Sequence, residues 1–182
     1  MTRKKKIILV LAVVMAIVLA MGITLAFMFK KSETVENEFV PASVTCEVDE
    51  LFDGTHKNSI KIRNTGNTKA YLCVKLISYW VDGDGNIVGK TSEMPEVSFD
   101  DVNWVQGSDD VYYYAEPVDP ETETVNDLLI SPIVLREDSY NGYTVYQVVE
   151  VFAEAIQSAP KNAAENSWNV NISKDGKITG EK

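Results

Sequence analysis

Few residues of this chain could do chemistry together. Its one histidine, His56, follows Asp53-Gly54-Thr55 in a turn-forming run. A hydrolytic zinc site needs about three protein ligands and a carboxylate near the bound water, and a single histidine without an HExxH run does not supply them. No serine nucleophile can be given both a base and an acid partner either, because His56 would have to serve alone. It reads as a solvated loop residue. Asp82, Asp84 and Asn86 stand at alternate positions, with Glu93 at the twelfth place of the same run, like the opening of a calcium loop. The sixth place is Ile87, where such a loop needs glycine. An ordinary Asp-Gly turn fits better and leaves these four residues as a weak calcium candidate.

Cys46 and Cys73 are the only cysteines, and in an oxidising compartment such a pair would invite a disulfide. Alternation opposes it. Cys46 shares the apolar face of its strand, whereas Cys73 lies opposite the Leu72 and Val74 face, so in one sheet the thiols point apart. The pairing stays open. Tyr112, Tyr113 and Tyr114 could form a sugar-binding platform, but tyrosines alternating between core and surface of a strand account for them better.

Strands must position these residues. The run 60–81 reads as strand, turn and long strand, with Asn64-Thr65-Gly66-Asn67 as the turn of a hairpin. In the second arm Ala70, Leu72, Val74 and Leu76 share one face, while Tyr71, Cys73, Lys75, Ile77 and Tyr79 share the other. That pattern suits a sheet packed on one side only. Residues 44–48 alternate as a half-buried strand, and residues 82–86 reverse the chain toward a short strand at Ile87 and Val88. Residues 104–107 and 111–114 flank a turn as a second hairpin. Residues 128–135, broken by Ser131-Pro132, give an edge strand or two short pieces. Asn141-Gly142 launches residues 143–156, read as one long strand. Residues 159–168 suit a short helix, and residues 170–178 a terminal hairpin around Asp175-Gly176. The expected fold is all-β, an antiparallel jelly-roll or Ig-like β-sandwich with one short C-terminal helix.

Ahead of it, Arg3, Lys4, Lys5 and Lys6 precede an uncharged apolar run that ends in Gly22-Ile23-Thr24-Leu25-Ala26. This is the pattern of a secretory signal with small residues at Thr24 and Ala26, cleaved between Ala26 and Phe27. The rival is an uncleaved anchor, because the uncharged stretch continues through Phe29 and could span a bilayer's apolar core of about 30 Å. The basic cluster keeps the N-terminus inside in either case. The expected organisation is a signal peptide or anchor at 1–26, an extended segment at 27–43 and the β-domain at 44–182. Four of the 17 bases lie in the leader, so the remainder carries 27 acids against 13 bases, a net charge of −14. Such a surface repels nucleic acid and anionic lipid.

Several pieces together resemble the TasA and camelysin-like family of exported Gram-positive proteins, whose leaders are processed by a dedicated signal peptidase. GITLAF around Gly22 looks like that family's leader end, and KIRNTGNTKAYLCVKLISYWVDGDGNIVGK is similar to its first block. Trp104, the tyrosine triplet, Pro117-Val118, Pro120 and Leu128-Leu129 look like its middle block, and AEAIQS with Trp168 its last. The resemblance implies a jelly-roll-like sandwich and, for the best-known members, subunits of biofilm-matrix fibres. In such fibres a subunit's new N-terminus adds as a strand to its neighbour. Here that donor would begin with Phe27, Met28 and Phe29, although the lysines and acids that follow interrupt the alternation a donor strand wants.

The expected function is therefore a secreted structural protein of the cell surface or biofilm matrix, without catalytic activity or cofactor. Its partners would be further copies of itself, other matrix proteins and the signal peptidase, with the membrane met only through the N-terminal segment. The alternatives are a membrane-anchored extracellular binding module and an exported metallohydrolase of camelysin type.

Overall fold

A computed structural model describes residues 3–5, 15, 41–160 and 162–182. Within residues 1–40 only Arg3, Lys4, Lys5 and Met15 are described, all helical. The expected cleavage junction at Ala26 and Phe27 and the expected donor residues Phe27, Met28 and Phe29 lie outside the described residues. Among the described residues no helix is long and apolar enough to cross a membrane.

Pro41–Lys182 forms one compact unit, and it is all-β. Its strands are β1 (Cys46–Phe52), β2 (His56–Asn64), β3 (Ala70–Val81), β4 (Trp104–Gln106), β5 (Val111–Tyr114), β6 (Ile133–Val134), β7 (Glu137–Tyr140), β8 (Tyr143–Gln157), β9 (Val170–Ile172) and β10 (Ile178–Glu181), with helix α1 (Asn162–Ser167) before β9. They form three antiparallel sheets of order β1-β2-β6, β4-β5-β3-β8-β7 and β10-β9.

The run 60–81 is strand, turn and strand, but it is not a hairpin. β2 pairs with β1 and β6, whereas β3 pairs with β5 and β8, so the turn carries the chain from one sheet to another. The reason lies in Asn64. It is fully buried, its amide nitrogen donates to Thr68 O at 2.9 Å and Val118 O at 3.0 Å, and its Oδ1 accepts from Gly66 N at 3.0 Å. The side chain thus holds an arch that a two-residue hairpin turn would not allow. Segment 41–45 grips the arch from outside: Thr65 N donates to Thr45 O, Asn67 N to Ser43 O and Ser43 N to Asn67 Oδ1. A side chain at Gly66 would collide with the Ser43 carbonyl and sit 3.1 Å from Thr45 N.

Residues from both larger sheets share one core. Ile60 and Ile62 of β2 cluster with Leu72, Val74 and Leu76 of β3, with Val149 of β8, and with Trp104, Tyr112 and Tyr114. The other face of β3 is not simply open, contrary to the one-sided expectation. Tyr71, Cys73 and Tyr113 form a second cluster with Ala164 of α1, Val170 of β9 and Ile178 of β10, while Lys75 and Ile77 farther along stay exposed. The C-terminal residues therefore cover one end of that face. Glu181 fastens them by accepting from Ser108 N, Ser108 Oγ and Tyr113 Oη at 3.0, 2.8 and 3.1 Å.

The second hairpin forms as β4 and β5, the 128–135 run reduces to the two-residue edge strand β6, and β8 runs unbroken for 15 residues. The short strand expected at Ile87 and Val88 shrinks to a single bridge between Val81 and Ile87. The sequence reading missed β7, whose EDSY run carries no alternating apolar residues. It forms because Asn141 and Gly142, at φ 52° and 82°, fold it onto β8.

Candidate functional site

One candidate binding feature is the outer edge of β8. From Tyr146 to Gln157 this strand pairs with the whole of β3, Ala70 opposite Gln157 through Val81 opposite Tyr146. On its other side β7 covers only Tyr143 to Tyr146, and Gln147 N then donates to Arg136 O. Because backbone groups alternate sides along a strand, Val149, Val151, Ala153 and Ala155 direct their N–H and C=O groups the same way as Gln147. Among the described residues nothing in the main chain pairs with them. Such an edge is a template for another strand.

β1, itself an edge strand, lies against β8 and completes a groove of about 430 Å³ lined by Val48, Phe52, Leu135, Val149 and Val151. Two buried polar side chains belong to it. Lys57 is 4% exposed and donates to Glu50 Oε2 at 2.6 Å. Gln147 is 3% exposed, and its Nε2 donates to Ser78 Oγ at 3.1 Å and Glu93 O at 2.9 Å. Its Oε1 is buried without a partner. A buried carbonyl in that state costs on the order of 1–3 kcal/mol, which a donor entering the groove would relieve.

The residues singled out for chemistry are dispersed. His56 is half-exposed, its Nδ1 2.8 Å from Thr55 Oγ1 and 3.3 Å from Asp53. Asp53 is the organising acceptor, taking Thr55 N and His56 N at 3.0 and 2.7 Å, and these backbone bonds hold its carboxyl well below the usual range. The set shapes a turn. Asp82 likewise caps its own turn, accepting from Asp84 N and Asn86 N at 2.9 Å each, with its carboxyl lowered chiefly by Asn86. Asp84 and Asn86 share that turn, whereas Glu93 enters the core network through its carbonyl. Among the described residues no group of three or more His, Cys, Asp or Glu side chains is placed to hold a metal ion.

Both cysteines are free thiols. Cys46 packs against the larger core and Cys73 inside the smaller one. Burial, reinforced by the Glu154 charge, pushes the Cys73 thiol up to about 12. The tyrosine triplet forms no platform: Tyr112 meets Phe99 edge-on at 5.2 Å, Tyr114 meets Trp104 at 5.1 Å, and Tyr113 turns the other way onto Trp168. Sequence reasoning passed over Gln147 and Lys57. The available signal was Gln147 itself, the one polar residue on the alternating face of Val145, Val149, Val151, Ala153 and Ala155. Compared with known protein families, characterised proteins and solved structures, the chain matches none.

Proposed function

We propose that this chain is a secreted structural protein of the cell surface or extracellular matrix, a jelly-roll-like β-sandwich that assembles by accepting a strand along β8. The observation that carries this reading is the open edge from Val149 to Gln157, about 30 Å long at the rise of a strand, beside a groove that mixes apolar side chains with Glu50, Lys57, Gln147 and Glu150. The core shared by β2 and β3 supports the sandwich, and the basic, apolar and small-residue leader supports export. The occupant is the segment beginning Phe27-Met28-Phe29 of a second copy, released by signal peptidase after Ala26. Its main chain pairs with the edge and its apolar side chains enter the groove. This role needs no catalytic residue, cofactor or nucleic acid.

Ala153→Pro tests it. The proline removes an N–H that faces outward, so the ladder to β3 stays intact. The secreted wild-type protein forms filaments by electron microscopy and the variant stays monomeric with an unchanged circular dichroism spectrum. Filaments of both, or monomers of both under all conditions, defeat the reading. Mass spectrometry of the mature protein separates release from anchoring: an N-terminus at Phe27 supports the matrix role, and intact Met1 in the membrane fraction supports an anchored binding module instead.

A further inference from the structure

A second cleft, away from the open edge and independent of the assembly reading, lies where β3 ends and the β7–β8 hairpin turns. Its volume is about 550 Å³, within the range of ligand sites, and Asp82, Asp84, Tyr140, Asn141, Tyr143 and Thr144 line it. Its walls are tied together. Lys90 Nζ donates to the Asp138 carboxylate and to Ser139 O, Tyr140 Oη donates to Gly89 O at 3.2 Å, and Val88 N donates to Trp80 O at 2.9 Å. Lys90 also sits 4.6 Å over the Trp80 ring. The loop and the hairpin therefore hold the cleft open without a ligand.

The lining has a definite electrostatic character. It contains two carboxylates and no basic side chain. Asp82 spends most of its acceptor capacity on its own turn, but among the described residues the Asp84 carboxylate has neither a hydrogen bond nor an ion pair. In the same lining Tyr143 is 73% exposed, and the register puts Tyr140 directly opposite it, so both side chains leave the same face of the sheet. An unpaired anion in one cleft with an uncovered aromatic ring selects a cation with a flat face. Guanidinium fits best, because it stacks on a ring and forks onto a carboxylate at once.

We infer that this cleft is a binding site for an arginine side chain of a partner protein, held by the Asp84 carboxylate and stacked on Tyr143. The strongly acidic chain favours the approach of such a basic segment. A short, capped peptide bearing two arginines, titrated into the ¹⁵N-labelled full chain in uncharged detergent micelles, tests this. Saturable shifts at the amides of Gly83, Gly89 and Gly142 are expected, with a Kd on the order of millimolar that rises with salt. Asp84→Asn and Tyr143→Ala, both at exposed positions, each weaken binding by roughly two- to fivefold and leave the rest of the spectrum unchanged. The same peptide with citrulline in place of arginine gives no saturable shift. Equal binding of the citrulline peptide, tighter binding of a neutral oligosaccharide, or shifts indifferent to both substitutions would overturn the assignment.

Discussion

Replacing Asn64 by alanine should cost this fold far more than a turn residue ordinarily does. The side chain is fully buried and makes three hydrogen bonds. Val118 O would keep its bond from Ala70 N, but among the described residues Thr68 O and Gly66 N would lose their only partners. One buried orphan, Gly66 N, at about 1–3 kcal/mol, with the half-buried Thr68 O and one further bond at about 1 kcal/mol each, gives roughly 3–5 kcal/mol. With a urea slope near 2 kcal/mol/M for a domain of this size, the midpoint falls by about 2 M. The three tryptophans of the chain, Trp80, Trp104 and Trp168, all lie in the unit Pro41–Lys182, so fluorescence follows that unit alone. Asn67→Ala is the internal control. Its bonds to Ser43 N and Pro41 O are exposed, water replaces them, and the cost stays below about 1 kcal/mol. If Asn64→Ala moved the midpoint no more than Asn67→Ala, the arch would not be what separates the two sheets.

Three further outcomes follow from the side-chain environments. With its thiol pushed up to about 12 by burial, Cys73 should resist alkylation at pH 8 until the chain is denatured, and non-reducing mass spectrometry should find two free thiols; a mass lower by two hydrogens would mean a disulfide. Donation from Ser108 and Tyr113 holds the Glu181 carboxyl below its ordinary 4.5, so its contribution is present above that value and disappears as pH falls through the lower folded value. Glu181→Gln should therefore expose the β9–β10 amides to hydrogen exchange at neutral pH and remove part of their acid dependence; protection unchanged at every pH would refute the clamp. Because Asp82 is occupied by its own turn, millimolar calcium should move the melting midpoint by less than about 1 °C, and a larger rise would mark a calcium site.

Alternation and turn chemistry in the sequence by themselves determined much of the local structure. β3 and β8 are long apolar runs whose period of two is their own property, and Asp-Gly and Asn-Gly turns need only the residues in them. The expectation of a leader is equally local, since it rests on charge, hydropathy and small residues in series. Pairing is different. The run 60–81 carries the same residues whether its arms join in one sheet or cross between two, and only the bonds from Asn64 to Thr68 and Val118 and the grip of segment 41–45 choose the crossing. The open edge is likewise invisible in the chain, because it arises from β7 stopping opposite Tyr146 while β3 continues to Gln157. Gln147 stood out as the one polar residue on its face, yet its meaning depends on Ser78, Ser92 and Glu93, which meet one of its polar atoms and leave the other without a partner. Strands are made by neighbours in sequence, whereas edges, arches and buried polar groups are made by partners far along the chain, and those partners came only with the tertiary structure.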